Sequence, residues 1–181
     1  MNAGSDEIIV QRIYDLLDKI IKYFIAKDEG KLDKNDDENL KNNEIEIKKF
    51  GTIAIPIFLN KLAKLDGSSG LYAFSYQKGL NYLLVKVFNV QTIPFILDEI
   101  RKLPYESGHI VERWHNLYSC LKDVVQDQLS NRQAIDIVDY YDQIKMLKDS
   151  DNYWAKGTVA AFLGDFPDAR GVPILYKLCH D

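Results

Sequence analysis

Cysteine is scarce, with Cys120 and Cys179 alone among 181 residues and no Cys-x-x-Cys spacing. A disulfide framework or a tetrahedral zinc site would need more ligands at short spacing, so both are read as reduced core residues. Five prolines and ten glycines are too few for a collagen-like, mucin-like or low-complexity chain. Basic charge is in deficit too: 23 Lys and Arg stand against 27 Asp and Glu, for a net charge of -4. No global field draws in polyanions, and nucleic acid is an unfavoured partner. No apolar run approaches the roughly 18 residues that span a bilayer. Met1 to Val10 lacks a basic segment followed by an apolar one, so the expectation is a soluble, cytoplasmic protein with no membrane partner.

What is present is apolar residues in quantity, 46% of the chain. At this length they suffice for one domain over 1–181 that buries roughly 70% of its unfolded surface. Ile9, Ile13, Leu16, Leu17, Ile20 and Phe24 recur at three and four residues behind Ser5, Asp6 and Glu7, which predicts a helix over 6–26. Gly30 supplies a chain reversal. Beyond it Asp33, Asp36, Asp37, Glu38, Glu44 and Glu46 crowd a stretch with few apolar residues. Residues 28–40 are therefore read as a solvated, mobile acidic loop, because little burial offsets their ordering entropy.

From Gly51 onward the pattern repeats. Ala54-Ile55-Pro56-Ile57-Phe58-Leu59, Thr92-Ile93-Pro94-Phe95-Ile96-Leu97, Ala134-Ile135-Asp136-Ile137-Val138-Asp139 and Gly171-Val172-Pro173-Ile174-Leu175-Tyr176 align, their third positions 38, 42 and 37 residues apart. Proline in the first turn of a helix loses no hydrogen bond, so Pro56, Pro94 and Pro173 mark helix starts. At the third start Asp136 favours the helix through the macrodipole. Ile55, Phe58, Leu59 and Leu62 form the core face of the first marked helix, and Ile93, Ile96, Leu97 and Ile100 that of the second. Apolar-periodic stretches at Leu71–Phe88, Ile110–Leu129 and Tyr153–Leu163 supply partner helices, with Gly164 read as a helix end. No strand or hairpin signal interrupts them, and the fold class is all-α.

The succession Leu163-Gly164, Asp168, Arg170, Val172-Pro173 resembles a HEAT repeat. The resemblance covers roughly residues 40–181. It implies a right-handed α-solenoid of about four antiparallel helix pairs, near 40–66, 71–104, 110–148 and 152–181, with an extra N-terminal helix, and a supporting role for Asp168 and Arg170 at the turn. HEAT-like proteins are mostly adaptors that hold another macromolecule along a concave side, lined here by the proline-marked helices.

About 100° per residue places Ile57, Asn60, Lys61 and Lys64 opposite the first core face. Phe95, Asp98, Glu99 and Lys102 follow in the second unit, Ile137, Tyr140, Tyr141 and Ile144 in the third, and Ile174 and Lys177 in the fourth. A row of Ile57, Phe95, Ile137 and Ile174, widened by Tyr140 and Tyr141, would make an apolar stripe suited to a protein partner. The bland alternative is that these side chains seal neighbouring repeats together.

Catalytic signals are thin. Glu112 and His115 form a single Glu-x-x-His pair, where a helical di-iron site needs two and further carboxylates. Cys179, His180 and Asp181 are consecutive and cannot hydrogen-bond in series on a helix. Trp114 and Trp154 are read as packing residues. The expectation is a non-catalytic interaction module without cofactor or metal, its small size and acidity compatible with an immunity or antitoxin-type inhibitor. Two rivals remain. A nucleic-acid-binding or DNA-glycosylase-like solenoid would need a basic groove, where Lys61, Lys64, Lys102 and Lys177 are interleaved with Asp98, Glu99, Asp139 and Asp142. A self-associating structural protein would pair through an open solenoid end.

Overall fold

A computed structural model describes residues 3–65, 70–104, 110–130, 151–167 and 169–180. All regular structure among them is helical, as the sequence predicts. Length alone predicts one domain, whereas contacts gather the chain into two compact units, Met1–Thr92 and Ile93–Asp181. The boundary falls inside the span 71–104 that the sequence presents as a single repeat.

The first unit is organised around α1 (Ala3–Asp28), whose Ile13, Leu16, Leu17, Ile20 and Ile21 are buried at helical spacing. Gly30, at φ 67°, closes it as expected. The Lys31 amide donates to the Ala26 carbonyl and the Gly30 amide to that of Lys27, a Schellman arrangement open to a residue that tolerates positive φ. Against α1 pack α2 (Asp36–Lys48) and α4 (Gly70–Asn81). A Cβ on Gly79 would stand 3.1 Å from Ile21 Cγ1, so the missing side chain lets α4 approach α1 closely.

The acidic stretch departs from its expected loop. Residues from Asp36 onward are helical, and the solvated segment contracts to the turn before it. Three carboxylates of α2, Asp37 inside the expected loop and Glu44 and Glu46 beyond it, each find a donor on a neighbouring helix. Tyr23 donates to Asp37 at 2.7 Å, Arg12 clasps Glu46, and Tyr82 donates to Glu44. Leu40 and Ile47 supply the buried side.

A 3-10 turn (Gly51–Ile53) leads into α3 (Ala54–Ala63), and Pro56 sits in its first turn. After Asn81, α4 widens into a π-helical run, Tyr82–Phe88. The run stops at Asn89, the one non-glycine with positive φ among the described residues. There the Leu84 carbonyl accepts both the Asn89 amide and the buried Thr92 hydroxyl, the latter at 2.8 Å.

The second unit comprises α5 (Ile93–Arg101), α6 (Ile110–Ser130), α7 (Tyr153–Asp165) and α8 (Val172–Leu178). Helix α5 packs on α6 and α7, α6 on α7, and α7 on α8. Pro94 and Pro173 occupy first turns, each behind a 3-10 turn, as Pro56 does. Gly164 does not end its helix: α7 continues to Asp165 and is closed by Phe166, whose amide reaches the Phe162 carbonyl. Cys120 is buried, and burial pushes its thiol up from the usual range. Cys179 is exposed, so only one of the two expected core cysteines lies in the core.

Residues 73–101 also correct the expectation of no long apolar run. They contain an 18-residue window of mean hydropathy 1.4, long and apolar enough to cross a membrane by length and composition. Half of that window is buried inside the protein, with Leu83, Leu84, Phe88, Ile93 and Ile96 each in a core, the pattern of a core segment.

Candidate interaction surface

The proline-marked helices bury the faces assigned to them. Ile55, Phe58, Leu59 and Leu62 of α3, and Ile93, Ile96, Leu97 and Ile100 of α5, are all buried. Relative to each proline these are positions -1, +2, +3 and +6. The opposite faces follow the expectation in part. Asn60, Lys61 and Lys64 are exposed on α3, while Ile57 is half-buried. The Lys61 ammonium stands 4.9 Å from the centre of the Tyr14 ring, a cation–π contact within the first unit.

On α5, Phe95 and Glu99 are half-buried, and Asp98 and Lys102 are exposed. Lys102 reaches Asp98 at 2.5 Å and Glu99 at 3.0 Å, and these two carboxylates raise its pKa. The charges beside Phe95 thus pair locally. Ile137, Tyr140, Tyr141 and Ile144, together with Asp136, Asp139 and Asp142, lie outside the described residues, as do Asp168 and Asp181.

The fourth unit overturns one assignment. Ile174 does not face outward: it is 7% exposed, on the side of α8 that also holds buried Gly171. The positions that are core in α3 and α5 correspond, in α8 and the cap residue after it, to Val172, Leu175, Tyr176 and Cys179. Val172 and Tyr176 are 65% and 69% exposed, Leu175 is half-buried and Cys179 exposed. Tyr176 stacks on His180 with ring centres 4.3 Å apart, and a His180 ring nitrogen lies 2.7 Å from the Tyr176 carbonyl. The prolines share one alignment but not one burial register, and the register of α8 exposes this surface. The signal was in the text of α8 itself, where Val172, Leu175, Tyr176 and Cys179 form a second apolar stripe beside Gly171 and Ile174.

The remaining motifs resolve into structure. Trp114 donates to the Thr158 hydroxyl at 2.9 Å, that hydroxyl donates to the Trp154 carbonyl at 2.8 Å, and Trp154 donates to the Pro104 carbonyl at 3.2 Å. Both indoles are half-buried and 5.9 Å apart, packing residues of the second unit. Tyr118 donates to Asp165 at 2.5 Å and Lys122 reaches the same carboxylate at 2.7 Å. Asp165 is held below the usual carboxylate range by Lys122 first and Tyr118 second. Glu112 and His115 are both exposed on α6. Among the described residues, no group of three or more His, Cys, Asp or Glu side chains is placed to hold a metal ion. No protein-family model matches the chain, and no curated protein or solved structure matches it significantly.

Proposed function

We propose that this chain is a non-catalytic interaction module of HEAT-like helix pairs that binds a protein partner through its proline-marked helices, with α8 as the principal contact. The carrying observation is the change of burial at equivalent positions. Four side chains that form the core in α3 and in α5 become, in α8 and its C-cap, two exposed apolar residues, a half-buried leucine and an exposed cysteine. A valine and a tyrosine at 65% and 69% exposure on successive turns give an anchor of the kind that dominates protein interfaces, where aromatic side chains carry much of the energy. The 3-10 turn before each proline-marked helix supports the repeat reading. The partner is a protein, since the acidic balance of the chain disfavours polyanions.

Affinity capture from native lysate, read by mass spectrometry, identifies candidates; purified candidate is then titrated against the wild type and Val172→Glu/Tyr176→Glu. The double variant should keep its far-UV circular dichroism and bind at least about tenfold more weakly, a loss of about 1.4 kcal/mol. Unchanged affinity would remove α8 as the docking face. Duplex DNA that binds tightly, with affinity falling steeply as salt rises, would replace the reading by a nucleic-acid one.

A further inference from the structure

A cavity of about 500 Å³ lies between α1 and α2 in the first unit. Helix α1 contributes Lys19, Lys22 and Tyr23, and α2 contributes Asn39, Asn42 and Asn43. The spacing of three and four residues places each set on one face of its helix. The floor is apolar, with Ala26 and buried Leu40. Asp36 stands in the lining as its single carboxylate.

Two features mark this cleft off from ordinary surface. Its two ammonium groups, Lys19 and Lys22, stand one turn apart on α1, and among the described residues neither is in an ion pair; Glu46, which feels the Lys19 charge, is clasped by Arg12. The second is the choice of asparagine. Three of the thirteen residues of α2 are asparagines, a residue that ranks below most others in helix propensity, and all three line the cavity rather than scattering around the helix.

We propose that this cleft binds a small phosphate monoester that also carries hydroxyl groups, of the size of a sugar phosphate or a nucleoside monophosphate. Two ammonium groups one turn apart match a dianionic phosphate, which lysine binds as a point charge. Carboxamides offer donors and acceptors together, suited to hydroxyls and ring polar atoms. Asp36 accepts from a ligand hydroxyl and repels polyanions, which selects a single phosphate group over a nucleic-acid backbone. The volume falls in the range of about 300–1,000 Å³ typical of small-molecule sites.

The test is amide chemical-shift titration of the isotope-labelled full chain with adenosine monophosphate and with glucose 6-phosphate, using inorganic phosphate and adenosine as controls. Saturable shifts confined to residues 19–26 and 36–43 are expected with at least one ester. Affinity should fall about tenfold in Lys19→Gln/Lys22→Gln and in Asn42→Ala/Asn43→Ala, with circular dichroism unchanged. Absence of saturable shifts for both esters up to about 10 mM, a range that covers even weak millimolar binding, would overturn the proposal. So would equal affinity for inorganic phosphate, which would indicate an adventitious anion only, or equal affinity in the lysine variant. Should a variant lose helix content, the wild-type titration with its four probes decides alone. Neither outcome bears on α8, which lies in the other unit.

Discussion

Asn152 does the work of two caps. Its side-chain oxygen accepts from the Trp154 and Ala155 amides at 2.8 and 3.2 Å, satisfying the first turn of α7, and its amide nitrogen donates to the Arg101 and Leu103 carbonyls at 3.0 and 2.8 Å, closing the end of α5. Asn152→Ala removes these four bonds and should cost about 2–3 kcal/mol, a cap plus two carbonyl contacts. Asn152→Asp keeps the accepting half, so urea denaturation should place it between alanine and wild type. An aspartate variant no better than alanine would mean that the clasp on α5, rather than the cap, carries the stability. Gly171 makes a second residue-level case. A Cβ there would stand 2.4 Å from Leu163 Cδ2, and Leu163 is only 5% exposed. Gly171→Ala should therefore cost about 1–3 kcal/mol by overpacking. Adding Leu163→Ala makes room for the methyl, so the double variant should lose less than the sum of the two single losses.

At the scale of elements, helix existence was legible because it rests on burial period. The prolines located the starts of α3, α5 and α8, and the faces of α3 and α5 came out as their spacing predicts. What the pattern could not reveal was rotation or distant pairing. The side of α8 that is buried depends on its neighbour, which moved Ile174 inward and left Val172 and Tyr176 exposed. The first turn of helix α2 was read as loop because its support comes from other helices: Tyr23 holds Asp37 there, and Arg12 and Tyr82 hold carboxylates 34 and 38 residues away further along it, and no local window records that. Contacts between helices also give the first unit its pH dependence. Lys78 and Ser75 hold Asp28 below the usual carboxylate range, and Arg12 does so for Glu46. A depressed folded pKa contributes stability above the unfolded value near 4, lost as pH falls through the lower folded value. Tyr82 shifts the opposite way, raised by burial and by Glu44, so its contribution is complete below about pH 10 and is lost as pH climbs toward the folded value. Asp28→Asn/Glu46→Gln should flatten the acid limb of a stability-versus-pH curve, and Tyr82→Phe the alkaline limb. An acid limb as steep as that of the wild type would assign it to other carboxylates.

At the scale of the molecule, the division at Thr92 and Ile93 carries a consequence that composition did not foretell, because length and apolar content set how much can be buried, not into how many cores it is gathered. Each unit has a core of its own: Leu16, Leu17, Ile20, Leu59, Leu80 and Leu83 in the first, Ile96, Ile100, Leu117, Leu121, Val159 and Phe162 in the second, every one buried. Each also exceeds the roughly 60 residues at which many domains fold alone. The first unit ties α1, α2 and α4 together through Asp28 with Lys78 and Glu46 with Arg12, and the second ties α6 to α7 through Asp165 with Lys122. Chains of residues 1–92 and 93–181 made separately should each show helical circular dichroism and a cooperative melt. Asp165→Asn should lower the melting temperature of the second and, being absent from the first, leave it untouched. In the full chain Asp165→Asn should likewise speed hydrogen exchange in α6 and α7 well before α1 and α4 respond, since local opening follows contiguous cooperative units. Broad, non-cooperative melting of both fragments, together with uniform acceleration of exchange along the full chain, would mean that the two cores fold only as one.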